Sequence, residues 1–286
     1  MKTKFLFIGP LAALSFFISC NSDEKTNEVK TTAISNDEIV ATSKIDASIE
    51  DITNIADDQF NVQQNSTAKS GGTIKSFLPA CAKITTVLTN NTWTKTVDFG
   101  AEGCTLDNGN IIKGKMILSF ANDLSASSQT ISYTFEGFYH NGKKLQGNKS
   151  IVLTIKTTNL FATAHPVSAA TIDMTITFDD GKVYTRKGAL VKETVAGYDT
   201  WLNWEDNAYL VTGTGSTTFP NGDVLSTEIT TPLEFEASCK KPFAVKGVVS
   251  VTKNGATAVI DYGDGNCDTL AKITKDGTTT EIDLKK

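Results

Sequence analysis

Histidine is nearly absent: only His140 and His165 occur in 286 residues. That excludes a histidine-rich metal centre and leaves few candidates for imidazole acid–base catalysis. An excess of basic charge is also missing. Lys and Arg number 27 against 32 Asp and Glu, and the net charge of −5 argues against a nucleic-acid backbone as the main partner. The G-x-S-x-G elbow, the H-E-x-x-H pair, the P-loop and the C-x-x-C spacing are all lacking, which removes the common sequence signs of a hydrolase, metalloprotease, nucleotide-binding or redox site. What is present suffices for a folded core, with 40% apolar and 21% charged residues.

The first twenty residues stand apart. Lys2 and Lys4 precede a short apolar run, Phe5 to Phe17, interrupted by Gly9-Pro10 and Ser15. The run is too short for a stable membrane span and reads as an export signal. It ends in Phe17-Ile18-Ser19-Cys20, which resembles a bacterial lipoprotein signal with a relaxed lipobox. The resemblance implies removal of residues 1–19, a lipid on Cys20 and anchoring in the outer membrane through that lipid. The alternative is an ordinary secretory signal cut nearby. Asn21 is not the aspartate that commonly retains lipoproteins in the inner membrane of enteric bacteria. Asn21-Ser22-Asp23-Glu24-Lys25 resembles the acidic stretch of surface-exposed Bacteroidetes lipoproteins, although a plain solvated tether has the same composition.

Residues 20–72 read as the lipidated cysteine, a tether and one helix. Residues 21–34 hold little to bury and predict a flexible spacer. Ser35-Asn36-Asp37-Glu38 has the form of a capping box. Ile45, Ile49, Ile52 and Ile55 then share one helical stripe, with Asp46, Glu50, Asp51, Asp57 and Asp58 mostly on the remaining face. The pattern predicts a helix over about 36–58 that packs on the domain behind it. A second spacer runs from Gln63 to Gly72.

From residue 73 to 286 the period becomes twofold, as in Thr154 to Thr158 and Thr171 to Phe178. Turn pairs punctuate it: Asn108-Gly109, Asn141-Gly142, Asp180-Gly181, Asn221-Gly222, Asn254-Gly255 and Asp276-Gly277. They predict a single all-β domain, an antiparallel meander. Gly114, Gly147 and Gly188 follow turn glycines at similar distances and point to bulges or strong curvature. An open barrel or sandwich follows, with the helix capping its open face.

Cysteine occurs five times, an odd number. If Cys20 carries lipid, an even four remain, and an exported protein favours disulfides. Cys81 is followed by Asp98-Phe99-Gly100 and Cys104, and Cys239 by Asp261-Tyr262-Gly263 and Cys267. This internal echo predicts Cys81–Cys104 and Cys239–Cys267, each contributing roughly 3 kcal/mol through loop entropy.

Asp98-Phe99-Gly100, Gly103-Cys104, Asn108-Gly109 and Lys113-Gly114-Lys115, with the closing Asp261 to Asp268, resemble a family of β-rich outer-membrane lipoproteins of the Bacteroidetes. The likeness covers about residues 81–286. It implies an extracytoplasmic β-rich lipoprotein and carries over no catalytic residue.

Two clusters are candidate sites. Tyr198, Trp201 and Trp204 alternate with Asp and Asn, as in platforms that stack on sugar rings; the same rings also suit a core. Asp261, Asp264, Asn266 and Asp268 place oxygen ligands as in a calcium loop, but Thr269 and Lys275 stand where an EF-hand needs glycine and glutamate. The alternative is a turn whose side chains bond their own backbone. Asp179, Asp180, Glu205 and Asp206 lie beside turns, where carboxylates are usually solvated.

Three functions follow in order. The first is a non-enzymatic binding or structural module of the outer membrane, for a glycan or protein ligand and with a possible place at the cell surface. Second comes a periplasm-facing carrier, which needs an apolar cavity between sheet and helix. A glycoside hydrolase is third and needs two carboxylates facing across a cleft.

Overall fold

The computed structural model describes residues 33–67, 76–123, 126–200 and 203–285. The export segment, Cys20, the start of the tether, Ser70-Gly71-Gly72 and Trp201 lie outside the described residues.

Helix α1 (Asn36–Thr67) starts with the expected capping box. The Ser35 amide donates to Glu38 Oε2 at 2.9 Å, and the Glu38 amide donates to Ser35 Oγ at 3.2 Å. The helix continues nine residues beyond 58 and absorbs the start of the second spacer. Neither proline nor glycine stops it there. Phe60 extends the stripe of Ile52 and Ala56 by one more turn and packs edge-on against Phe120, with ring centroids 5.1 Å apart. At 1.5 Å per residue α1 is about 48 Å long.

Strands follow in one antiparallel meander. They are β1 (Lys83–Thr89), β2 (Thr92–Asp98), β3 (Cys104–Thr105), β4 (Ile111–Ala121), β5 (Ser128–His140), β6 (Lys143–Lys156) and β7 (His165–Thr177). The second half comprises β8 (Val183–Ala196), β9 (Ala208–Thr218), β10 (Val224–Glu236), β11 (Lys246–Lys253), β12 (Ala256–Asp264), β13 (Leu270–Lys275) and β14 (Thr278–Asp283). Each strand pairs with its sequence neighbours, except that short β3 pairs with β4 off the main path. The sheet is not closed, and β1 and β14 are its edges.

Turn chemistry explains the meander. Asn141-Gly142, Asn254-Gly255 and Asp276-Gly277 have positive φ at both residues, the two-residue hairpin form. Asn90-Asn91 does the same without a glycine. At Gly109, Gly181 and Gly222 only the glycine is left-handed, and its amide bonds back to Leu106, Phe178 and Phe219. Curvature has a source at Gly114, where φ is +81° and the β4–β5 register slips; a Cβ there would lie 2.0 Å from Gly137 O. Gly188 differs from the expected bulge. It lies in unbroken register opposite Gly215, where space is needed for another reason: a Cβ on Gly215 would lie 2.7 Å from the Arg186 guanidinium.

The sheet bends around α1. Polar contacts reach the helix from β2, β5, β6, β8, β11 and β13. Ile39, Ile45, Ile49, Ile52 and Ile55 are buried against inward residues such as Val97, Met116, Leu118, Ile131 and Ile273. Among the described residues of α1 only Asp37, Asn61 and Ser66 are exposed. The helix fills the concave side of the sheet instead of lying across its rim.

Candidate functional site

Most of the polar face of α1 is covered as well, with the Asp46 side chain still 45% exposed, because the sheet supplies opposite charge in phase with its apolar alternation. Lys95 stands between Trp93 and Val97 on the inner face, and Lys253 follows Val249 and Val251. Lys253 Nζ donates to both oxygens of Glu38 at 2.7 and 2.9 Å. Arg186 Nε and Nη2 donate to Asp46 at 2.7 and 3.0 Å, a two-pronged pair. Lys275 Nζ donates to Ile34 O and Asn36 Oδ1, tying down the helix start.

Further along, cations are shared. Lys192 Nζ donates to Glu50 at 3.0 Å, Asn54 at 2.9 Å and Asp57 at 3.5 Å, and sits 4.0 Å from the centre of the Tyr209 ring. Burial alone would depress Lys192, but Glu50 and Asp57 hold it above the usual lysine range. Burial raises Asp57 despite Lys192 and Lys149 nearby. Lys149 donates to Thr53 Oγ1 and pairs with no carboxylate among the described residues; burial lowers it to about 8, with Glu50 and Asp57 opposing. Asp58 is held by neutral donors, namely Ser76 Oγ at 2.6 Å, Gln59 Nε2 at 2.8 Å and the Phe77 amide at 3.2 Å, and burial raises its pKa.

Beside this second half of α1 lies a cavity of about 390 Å³, within the range of small-ligand sites. Tyr198, Trp204, Tyr209 and Phe77 contribute rings; Glu50, Asp57, Asp58, Asp107 and Glu236 contribute carboxylates. Trp204 is half-buried and leans on Phe77 with centroids 5.3 Å apart. Two lysines on the wall are engaged elsewhere: Lys240 with Glu205 at 2.9 Å and Lys241 with Cys267 O at 2.7 Å. Asn207 Nδ2 donates to Tyr209 Oη at 3.0 Å, while Asn207 Oδ1 is buried and accepts nothing from the described residues. The lining therefore combines aromatic faces with carboxylate and amide side chains.

Both expected cysteine pairs stand at disulfide distance, Cys81–Cys104 with Cα atoms 5.9 Å apart and Cys239–Cys267 with 5.2 Å. The sequence marks them as hairpin staples; the fold puts both beside the cavity. Phe77 precedes Cys81 and Leu106 follows Cys104, while Ala237 and Lys240 flank Cys239, and all four line the wall. The echoed motifs share one turn: Gly100 N donates to Asp98 Oδ1 and Gly263 N to Asp261 Oδ1, both at 2.9 Å.

The chain matches no family model, no curated protein and no solved structure.

Of the aromatic candidates, Tyr198 and Trp204 meet at this cavity, and Trp201 lies outside the described residues. The two do not form an outer platform, since they face the interior space between helix and loops. The calcium loop is not assembled. Asp261 is used by Gly263, Asp264 Oδ1 accepts from Asn266 Nδ2 at 3.0 Å, and Asp268 Oδ1 accepts from the Leu270 amide at 2.9 Å. Among the described residues no three His, Cys, Asp or Glu are grouped to hold a metal. The segment is a run of turns closed by short polar side chains. The turn acids are likewise spent locally: Asp180 pairs with Lys182 at 2.7 Å, and Asp206 accepts from Thr200 at 2.6 Å.

One constellation escapes the sequence. Ser48 Oγ lies 3.0 Å from His140 Nδ1, and His140 Nε2 lies 2.7 Å from Asp51 Oδ2, the order of groups in a hydrolase triad. Ser48 is 0% exposed and donates to Lys44 O, so no substrate reaches it. Asn108 and Asn110 also donate to Asp51, which makes this a buried polar joint between α1, β5 and the β3–β4 turn. His165 is similarly spent on Glu193 at 3.0 Å. The inward lysines and arginine are the other residues missed. Their signal is a charge standing in phase with an apolar alternation.

Proposed function

We propose that the protein is a non-enzymatic binding lipoprotein of the outer membrane, held by lipid on Cys20, with a short glycan as its ligand. The observation that carries this reading is the cavity, where the Tyr198, Trp204 and Tyr209 rings stand beside carboxylate and amide side chains. Rings of this kind stack on the C–H faces of sugars, and the polar side chains beside them exchange hydrogen bonds with hydroxyls. Acidic sugars are disfavoured by the surrounding carboxylates, so neutral or amino sugars fit best. The carboxylates do not present themselves as an acid and nucleophile pair, because Lys192 bridges Glu50 and Asp57 and three donors hold Asp58.

A second reading, the carrier of an apolar ligand, is favoured by Phe60, Leu106, Leu153, Ile155 and Phe235 on the same wall. Glycan-array screening followed by calorimetry separates the two. Binding of neutral oligosaccharides that is lost in Trp204→Ala supports the glycan. Displacement of a fluorescent fatty acid, with no glycan bound, supports the carrier. Protease treatment of intact cells tests the location: digestion places the chain on the cell surface and protection places it inside, while intact-mass analysis of the N-terminus tests the lipid.

A further inference from the structure

The two edges of the sheet are not alike. β14 carries Glu281 and Asp283, the acidic blunting that natural edges use against pairing. β1 has no such device. All seven of its residues, Lys83-Ile84-Thr85-Thr86-Val87-Leu88-Thr89, are exposed, and among the described residues it pairs, in unbroken register, with β2 alone. Its only charge is Lys83 at one end. Ile84, Thr86 and Leu88 oppose Val97, Lys95 and Trp93, so they continue the inner face of the sheet; yet Ile84 is 42% and Leu88 45% exposed, against 0% for Val97. The strand is also fixed in place. Cys81 is tied to Cys104 just before it, and Asp58 of α1 holds Ser76 and Phe77.

We propose that β1 pairs with β1 of a second copy, antiparallel about a two-fold axis through Thr86. The sequence of the strand is self-complementary in that register. Ile84 of one copy opposes Leu88 of the other on the inner face, Thr85 opposes Val87 on the outer face, and each Lys83 meets a threonine. The two Lys83 residues end up about 20 Å apart. The inner face of β14 carries Thr278, Thr280 and Ile282, and Ile282 is already packed on the core, so β14 offers no exposed apolar pair of this kind. The interface is isologous and closes as a dimer, and its central pair is preorganised, which lowers the ordering cost.

Cysteine scanning in the full chain carrying Cys20→Ser tests the register. Thr86→Cys meets itself across the axis, within disulfide reach, and is expected to crosslink nearly completely under mild oxidation. Ile84→Cys alone and Leu88→Cys alone place their sulfurs about 14 Å from their own copies and stay monomeric, whereas a mixture of these two chains forms the heterodimer. Sedimentation of the Cys20→Ser chain gives a dimer at high concentration and a monomer for Thr86→Lys, with unchanged circular dichroism. A monomeric Thr86→Cys chain, equal crosslinking from Ile84→Cys alone, or crosslinks to a cysteine placed on β14 overturns the proposal.

Discussion

The two halves of α1 meet the same sheet in different ways. In the first half each helix carboxylate that meets the sheet has a different cation, Glu38 with Lys253, which also reaches Asp223 at 3.5 Å, and half-exposed Asp46 with Arg186. In the second half Glu50 and Asp57 share Lys192, Asp58 has only neutral donors, and Asp51 leans on His140 and two amides. Giving each of these helix carboxylates a different cation neutralises the first half against the sheet. Sharing leaves carboxylates incompletely compensated, and it occurs where the cavity opens. The first half is a plug and the second is a wall.

The largest break in that comparison comes from the apolar stripe both halves share. Ile52→Ala is expected to cost about 2–5 kcal/mol, read as a lower urea midpoint with unchanged slope. The plug is tested next. Lys253→Met leaves Glu38 buried without its cation and should cost about 3 kcal/mol, while the double variant Glu38→Gln/Lys253→Met regains much of it and neither alters ligand binding.

In the wall, pH is the probe. Lys149 titrates near 8 when folded and at 10.5 in its ordinary state. The unfolded chain therefore binds more protons between these values, and stability rises as pH increases from 8 toward 10. Above that, buried Tyr133, Tyr209 and Lys192 act in the opposite sense, since folding raises all three. Lys149 contributes on the order of 3 kcal/mol at most, and denaturation of Lys149→Met across this range should show a smaller rise, the remainder coming from Lys95 and Lys143, which burial also lowers. Smallest is Trp204→Ala, expected to weaken the ligand about tenfold, or 1.4 kcal/mol, in calorimetry, with little effect on the unfolding midpoint. A comparable loss of affinity from Lys253→Met would erase the distinction between plug and wall.

Much of the fold is legible in the residues. The capping box at Ser35, the isoleucine stripe, the hairpin pairs and the echo that pairs the cysteines are local patterns, each set by neighbours a few positions away. The helix end was missed because Phe60 gains its reason only from Phe120. Tyr198 and Trp204 could be singled out as rings among polar residues, but not the side they face. Asp261 to Asp268 has the spacing of a cation loop, and nearby amides of the backbone and of Asn266 took the oxygens first.

The sequence by itself determined the period, the turns and the cysteine pairing, because backbone sterics and short-range hydrogen bonds act within the segment that carries them. Only the tertiary structure decided where the charges go. Asp46 and Arg186 lie 140 residues apart, and Glu38 and Lys253 lie 215 apart. A carboxylate is buried or solvated according to the partner that burial supplies, and that partner is chosen by the curvature of the whole sheet around one helix.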